Sequence, residues 1–435
     1  MRPTVPGEPD GPAAVDLLLA GTGAAGLSLL DALARHGVTG LRLLVVDPVD
    51  RLHAHPWDRT WCFWSKRTPA HLQKAMVASW RIAEIAAPDG AGNRLDLDPY
   101  RYHMLTADAY ARLVARRVAR AEAELGWHVE TLVDGVRHIV DGPDAATATT
   151  ESGERLTASW VFDSRPRPPT RARTTLLQHF RGHLVRTRQP RFDAERILLM
   201  DFSVPQPDRG VAFGYCLPTD AHTALVEYTV FSAQECTEPE YDEHIRDYRT
   251  RLGLAPQDDQ DTTTAHVEHG VIPMTDGRFD PHPGHRVIRI GAAAGATRGS
   301  TGYTFAAVTR QTDVVAGLLA AGATPRVPDA YPRRHRVLDA IMLRALADGR
   351  LAGAPFFTRL WQANPPVRVL EFLQGTSLVP AWHLTAAAQC EPGTTAVVAR
   401  RGPAKLSAPA GQGNGSGQRF RAMGQGNPTA SANSV

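Results

Sequence analysis

Asp16-Leu17-Leu18-Leu19-Ala20-Gly21-Thr22-Gly23-Ala24-Ala25-Gly26-Leu27 is the stretch on which the reading of this chain turns. The short apolar run ending at Ala20 has the length and character of a buried strand. Gly21 to Gly26 form a turn, after which Ala24, Leu27, Leu30 and Leu33 recur at helical spacing as far as His36. Gly37 ends that helix. Leu41 to Val46 is a second buried strand closing at Asp47, so the segment is a βαβ unit. Gly21 permits the tight bend, Gly23 lets a pyrophosphate approach the backbone, and Gly26 lets helix and strand pack closely. The helix N-terminus adds free N–H groups and the positive end of its dipole. Asp47 stands where an acid bonds a ribose 2′-OH, which favours FAD or NAD over NADP. A dinucleotide is therefore expected against Gly21, Gly23, Ala24, Ala25, Gly26 and Asp47.

Outward from this turn, 435 residues exceed one ordinary core and point to two joined domains. The 48 basic and 45 acidic groups leave a net charge of +3, which gives no reason to expect a nucleic-acid partner. A weakly basic face resting on anionic lipid stays open. Cys62, Cys216, Cys236 and Cys390 lie far apart, with no CxxC pair and no His/Cys metal spacing. Reduced thiols are expected, with neither a disulfide framework nor a metal site. The first residues hold no apolar signal core, and no run of eighteen apolar residues occurs. The expected location is cytoplasmic, with any membrane met from its surface.

Residues 1–14 read as a disordered Pro/Gly leader, and residues 391–435 as a polar low-complexity tail. Residues 107–125 form a helix with Tyr110, Leu113, Val114 and Val118 on one face. From Leu176 to Phe231 the pattern is that of antiparallel strands. Arg286 to Gly291 returns to a buried strand, and a helix runs from about Tyr303 to Ala321. Residues 334–390 are largely helical.

Several motifs carry chemistry. Asp58 to Trp64 (DRTWCFW) is either a lid over a bound cofactor, with Arg59, Thr60 and Trp61 in contact, or an aromatic packing loop. Asp163 in Asp163-Ser164-Arg165-Pro166 either touches the cofactor or caps a turn. Asp201 and Glu227 each place an acid inside an apolar strand, where desolvation raises a carboxyl pKa and keeps a proton available. Alternation puts Leu225, Glu227 and Thr229 on one face, with Val226 and Tyr228 opposite. Pro273 and Met274 end an apolar strand that could line a tunnel or lie at a sheet edge. Gly291, Gly295, Ser300, Thr301 and Gly302 fall in a small-residue segment suited to close approach of a flat ring.

The ordered set GTGAAGLSL, DRTWCFW, FDSRP, LQHFRG, LMDF, ALVEYTVFS, GVIPMTD and GAAAG…STGYTF resembles the lycopene cyclase family of flavoproteins over roughly residues 15–375. The resemblance implies an α/β fold: a Rossmann-type FAD-binding domain (a three-layer ββα sandwich) with an inserted antiparallel-sheet substrate domain and a helical C-terminal region. The expected divisions are 15–170 and 281–325 for the FAD domain, 171–280 for the substrate sheet, and 326–390 for a helical substrate and membrane-docking region. It further implies reduced FAD as cofactor, with NAD(P)H as an external reductant, and non-redox closure of the ψ-ends of lycopene or a related carotene to β-rings. On that basis Glu227 is the first catalytic candidate and Asp201 the second. Tyr228, Pro273, Met274 and Tyr303 are the candidate substrate contacts.

The chain departs from the family pattern at Thr297-Arg298-Gly299, where many members read Thr-Lys-Pro, and at Phe372-Leu373-Gln374-Gly375, where an acidic stretch is usual. Loss of the rigid proline is expected to loosen the loop. Between Leu351 and Leu384, Phe356, Phe357, Leu360, Trp361, Val367, Val369, Leu370, Phe372, Leu373 and Trp382 interleave with Arg359 and Arg368. They form either a surface that docks on a membrane or ordinary helix packing. The competing functional reading is a FAD-dependent monooxygenase or polyene reductase; Gly291-Ala292, in place of a Gly-Asp pair, disfavours the hydroxylase. A non-catalytic carotenoid binder is a third.

Overall fold

The computed structural model describes residues 15–254 and 261–377. The expected leader and tail lie outside the described residues, as do Trp382 and Cys390 and the end of the expected helical region, 378–390. The chain begins with β1 (Val15–Ala20), α1 (Ala24–Arg35) and β2 (Arg42–Asp47). Then come β3 (Thr60–Ser65), β4 (Met76–Trp80), β5 (Ile82–Ala86), β6 (Gly92–Asp96), β7 (Arg101–Thr106) and α2 (Ala107–Leu125). Four strands follow: β8 (His128–Val133), β9 (Val136–Val140), β10 (Ala146–Thr150) and β11 (Arg155–Asp163). The next stretch holds β12 (Thr175–Thr187), β13 (Arg196–Asp201), β14 (Val211–Pro218), β15 (Thr223–Ser232), α3 (Glu238–Arg251) and β16 (Thr262–Thr275). The described part ends with β17 (Val287–Arg289), α4 (Phe305–Ala320), α5 (Arg333–Ala347), α6 (Gly353–Gln362) and α7 (Pro366–Gln374).

The fold is mixed α/β. The first sheet has the order β8-β2-β1-β11-β10-β9, with β17 also on β11. Its centre is parallel, and β11 is shared: its first residues pair antiparallel with β10, its last with β17 in parallel. Successive side chains on β1 go to opposite faces, both of them covered, which is why Leu17 to Ala20 are apolar without a break. Leu17 and Leu19 meet α1, α2 and α4 through Leu27, Leu30, Tyr110, Val114 and Val308. Leu18 and Ala20 meet Val136, Ala146 and Ala148 of the β9–β10 hairpin. Helices, parallel sheet and antiparallel strands thus form three layers.

The second sheet runs β16-β12-β15-β14-β13-β5-β6. Residues 82–96, expected in the first part of the nucleotide domain, supply its far edge through β5 and β6, with β5 parallel to β13. Ala83, Ile85 and Leu95 are the buried residues that commit them there. A third sheet, β3-β7-β4, has two apolar sides. Phe63 packs in the nucleotide-side core with Trp61 against it, whereas Trp64 packs in the other core with Cys62 against it. One face of the second sheet is covered by α3, whose Ile245 and Tyr248 pack on Val226 and Val230. A capping box between Thr237 and Glu240 starts that helix.

The opposite face lies under β3, β7 and the helices α5 to α7. Phe356, Phe357, Leu360, Trp361, Val369, Leu370, Phe372 and Leu373 are buried there with Phe202, Phe213 and Phe231. Of the two readings open for these side chains, their burial fits helix packing, each large apolar group contributing about 1.5–3 kcal/mol to the core. No helix among the described residues is long and apolar enough to cross a membrane.

Arg298 ties this helical region to the rest. It is fully buried, and its Nε donates to Asp339 Oδ1 at 2.9 Å. Its Nη1 donates to the carbonyls of Phe372 and Leu373 at 3.2 and 3.3 Å, and its guanidinium lies over the rings of Tyr331 and Phe372. Burial pushes the Asp339 carboxyl up while Arg298 pulls it down. Arg298→Met is expected to cost about 3–5 kcal/mol of unfolding free energy at neutral pH, because Asp339 is left buried and unpaired. The loss should shrink as pH falls and Asp339 takes a proton. Urea unfolding of wild type and variant at two pH values measures both.

Candidate active site

The nucleotide turn has the geometry a pyrophosphate needs. Gly21 adopts φ +96°, and a Cβ there would sit 2.4 Å from Ser164 Oγ. A Cβ on Gly26 would sit 2.2 Å from the Gly21 carbonyl oxygen, so helix and turn touch backbone to backbone. Gly23 caps α1, and the space around its missing Cβ is open within 4 Å. Ala24 and Ala25 form the first turn of that helix. Gly291 meets Ala25: its missing Cβ would lie 2.5 Å from the alanine Cβ. The two small-residue segments, far apart in sequence, thus lie against each other. Asp47 Oδ2 accepts from Thr22 N at 2.5 Å and Thr22 Oγ1 at 2.9 Å, and its Oδ1 accepts from Val49 N. The carboxylate fixes the turn.

Gly302 adopts φ +72°, and a Cβ there would collide with Gln178 Oε1 at 1.9 Å. The Gln178 Oε1 and Thr301 Oγ1 atoms are buried without hydrogen-bond partners. The open approach at Gly23 and these two orphan atoms beside Gly302 fit a bound dinucleotide carrying a polar ring. The loop at Gly299 is closed by backbone hydrogen bonds. Arg298 N donates to the Tyr303 carbonyl, Gly302 N donates to the Arg298 carbonyl, and a Cβ on Gly299 would press on the Thr275 carbonyl at 2.7 Å. Gly295 (φ +75°) closes a short helical turn before this loop.

Across the second sheet one row of residues brings two acids onto the same face. Glu268 on β16 stands opposite Gly182 on β12, Gly182 opposite Glu227 on β15, and Glu227 opposite Tyr215 on β14. Residues in register across neighbouring strands share a face, so both carboxyls point to the side covered by β3 and β7. A Cβ on Gly182 would meet Glu268 Cγ at 3.1 Å and Leu225 Cδ1 at 3.2 Å. Glu227 is enclosed by protein while keeping partial access to a cleft, and its Oε1 accepts from Thr229 Oγ1 at 2.6 Å. Burial pushes its carboxyl up to about 7, with Thr229 pulling the other way. Burial and the charge of Glu227 push Glu268 up to about 8. Glu268 lies beside Thr60 at the start of β3.

Aromatic groups wall this space. The Tyr303 hydroxyl lies 3.4 Å from those of both Tyr102 and Tyr215, and the Trp64 ring meets the Tyr303 ring edge-on at 4.5 Å. A cleft bordered by Cys62, Trp64, Tyr303 and Phe305 leads past them toward α4. Burial pushes the Cys62 thiol up, and the charge of Glu227 adds to this.

Other expected site residues lie elsewhere. Asp201 shares its row with Gly214 and Tyr228, on the α3 face. It accepts from Ser203 N and Oγ, lies beside Tyr248 and Cys216, and does not meet Glu227. Tyr228 stacks on His244 at 4.6 Å on that same face, away from the acids. Pro273 is exposed on the edge strand β16, whereas Met274 is fully buried on the acid face. Asp163 is held by Arg165 and Arg167, so its oxygens serve the strand exit. Arg59 is about half exposed, whereas its neighbour Asp58 is clamped by Arg51 at 2.7 and 2.6 Å. Trp61 stacks on Phe305 at 5.8 Å. Ser300 donates to Asp339. The sequence reading missed Glu268 because it began that strand at Gly270; β16 starts at Thr262, and alternation back from Met274 through Ile272 and Gly270 reaches Glu268.

The family model described as lycopene cyclase protein matches residues 16–389. A search of curated proteins found no match. Among solved structures, a geranylgeranyl bacteriochlorophyll reductase-like protein from Thermoplasma acidophilum superposes with TM-score 0.57 at 13% identity, covering 88% of this chain and 98% of its own. A flavoprotein/dehydrogenase from Cytophaga hutchinsonii gives 0.55 at 13% identity, with 83% and 93% covered. The p-nitrophenol 4-monooxygenase of Pseudomonas putida gives 0.54 at 14% identity, with 84% and 100% covered. At such identities these structures speak for the fold alone, whereas the family model spans most of the sequence. The chain belongs to the lycopene cyclase family.

Proposed function

We propose that this protein is a FAD-dependent lycopene β-cyclase, an isomerase that closes the ψ-end of lycopene or a related carotene into a β-ring. The observation that carries the reading is Glu227: a carboxyl enclosed beside aromatic rings, its pKa raised by desolvation, in a chain of this family. Ring closure needs a proton delivered to a terminal double bond, attack on the resulting cation by the neighbouring double bond, and removal of a ring proton. A carboxyl poised near neutrality can give or take such a proton. Thr229 orients Glu227. Trp64, Tyr102, Tyr215 and Tyr303 offer π-faces to a cation and exclude water from it. Gly21, Gly23 and Gly26 would hold the FAD pyrophosphate, and Gly302 with Thr301 would border its ring. Bound in reduced form, with NAD(P)H as external reductant, the flavin supplies negative charge beside the cation.

The same reading implies that substrate is drawn from a lipid surface in the cytoplasm. Val337 and Ile341, one turn apart on α5, are the large apolar side chains it exposes, beside the exposed Arg333 and Arg336.

Expression in a lycopene-accumulating bacterium is expected to yield a cyclic isomer of equal mass. Added oxygen would identify a monooxygenase, and added hydrogen a reductase; unchanged lycopene with folded, FAD-bound protein would sink the assignment. Glu227→Gln is expected to lower turnover by about 10²–10⁴-fold with FAD content unchanged. A second expectation concerns stability. A carboxyl raised on folding contributes stability that is full below its unfolded pKa and is lost as pH rises through the folded value. Unfolding free energy should therefore fall between about pH 5 and pH 8, by about 3 kcal/mol for Glu227. Denaturant titrations across that range should show a flatter curve for Glu227→Gln.

A further inference from the structure

Cyclisation gives a proton to one carbon and takes a proton from another; one carboxyl can do both in turn, or two can divide the steps between them. Glu268 is the other acid on this face, and three observations set it apart from a structural carboxyl. The side chain is 4% exposed, and its Oε2 is buried with no hydrogen-bond partner. It leans over Gly182 toward Glu227, with Cγ 3.1 Å and Oε1 3.4 Å from where a Cβ on residue 182 would stand. And the two acids differ in their surroundings: Glu227 Oε1 accepts from Thr229 Oγ1, whereas at Glu268 burial and the charge of Glu227 outweigh the pull of neighbouring Thr60, and Oε2 has no hydrogen-bond partner.

We propose that Glu268 is the proton donor of the reaction and Glu227 its proton acceptor, the two working across the gap left by Gly182. The assignment rests on the cyclase reading above. The Glu268 O–H bond breaks, and its proton is bonded by the electron pair of the terminal double bond. The neighbouring double bond supplies the pair for the new ring C–C bond. A ring C–H bond then breaks, its pair becomes the ring double bond, and the proton passes to Glu227. The substrate is isomerised without net redox change, and the pair resets when that proton returns across the gap or through solvent. Burial and the charge of Glu227 hold the donor protonated at neutral pH.

The test uses purified, FAD-loaded, reduced enzyme with lycopene in lipid vesicles, run in D2O. Wild type is expected to place one deuterium in each ring closed; a wild type that closes no ring sinks the cyclase reading itself. With active wild type, Glu268→Gln is expected to lose about 10²–10⁴-fold in ring closure and to return lycopene free of deuterium. Glu227→Gln is also expected to fail at ring closure, but to return lycopene labelled at its terminal double bond, because protonation still occurs and reverses. Ring closure by Glu268→Gln within about threefold of wild type, or labelled lycopene recovered from it, overturns the proposal. If Glu268→Gln does not fold, Gly182→Ala serves: its methyl displaces the Glu268 side chain, and kcat should fall about tenfold or more. An unchanged kcat in a folded Gly182→Ala overturns it equally.

Discussion

The buried ion pair of Arg298 with Asp339 is the constraint from which much of the molecule's order follows. An unpaired charge at that depth would be prohibitive, so the loop carrying Arg298 and the helix carrying Asp339 must come together or neither can be buried. Once they meet, Arg298 has donors left for the last carbonyls of α7, which brings that helix in as well. Gln374 then donates to the Trp64 carbonyl, and Trp64 Nε1 donates to the Leu370 carbonyl. The helical region, the strand that walls the acids and the loop beside Gly302 are thereby one connected system. The loop beside Gly302 and the strand β3 are joined through the carbonyls and side chains of α7.

The second sheet divides labour between its faces. Toward α3 it buries Asp201, which accepts from Ser203, and Tyr228, with Tyr248 of α3 packed against this face. Toward β3 and β7 it presents Glu227, Glu268, Tyr215 and, in the next row, Thr229. The two-residue period of a strand makes the division sharp. Asp201 lies on a strand as apolar as that of Glu227, but a bulge between Leu198 and Asp201 sets which way it points.

That bulge marks where sequence reasoning stops. The βαβ turn was legible because each glycine answers a separate local demand, and the structure places Gly21, Gly23 and Gly26 as those demands require. Alternation on β15 was legible for the same reason. Long-range register was not. Nothing local says that Gly182 lies between two acids, that residues 82–96 cross to the second sheet, or that the aromatic residues of α6 and α7 turn inward. Asp163 and Asp201 look alike in sequence to functional acids, since a buried acid with a private arginine or serine has the same flanking residues. Only the partners separate them.

The row through Gly182 sets a spacing that side chains cannot tune. Strands hydrogen-bonded in one sheet stand about 4.8 Å apart, so acids on alternate strands have backbones roughly 10 Å apart whatever their sequence. Moving either acid to the next position on the same face shifts it by about 7 Å along its strand. Positions for a second carboxyl therefore come in discrete steps, and a family built on this sheet could change where its acids meet a ligand only by whole rungs. Gradual drift of the reacting point is closed to it; a new regiochemistry would have to arrive as a jump, with a new glycine to clear the way.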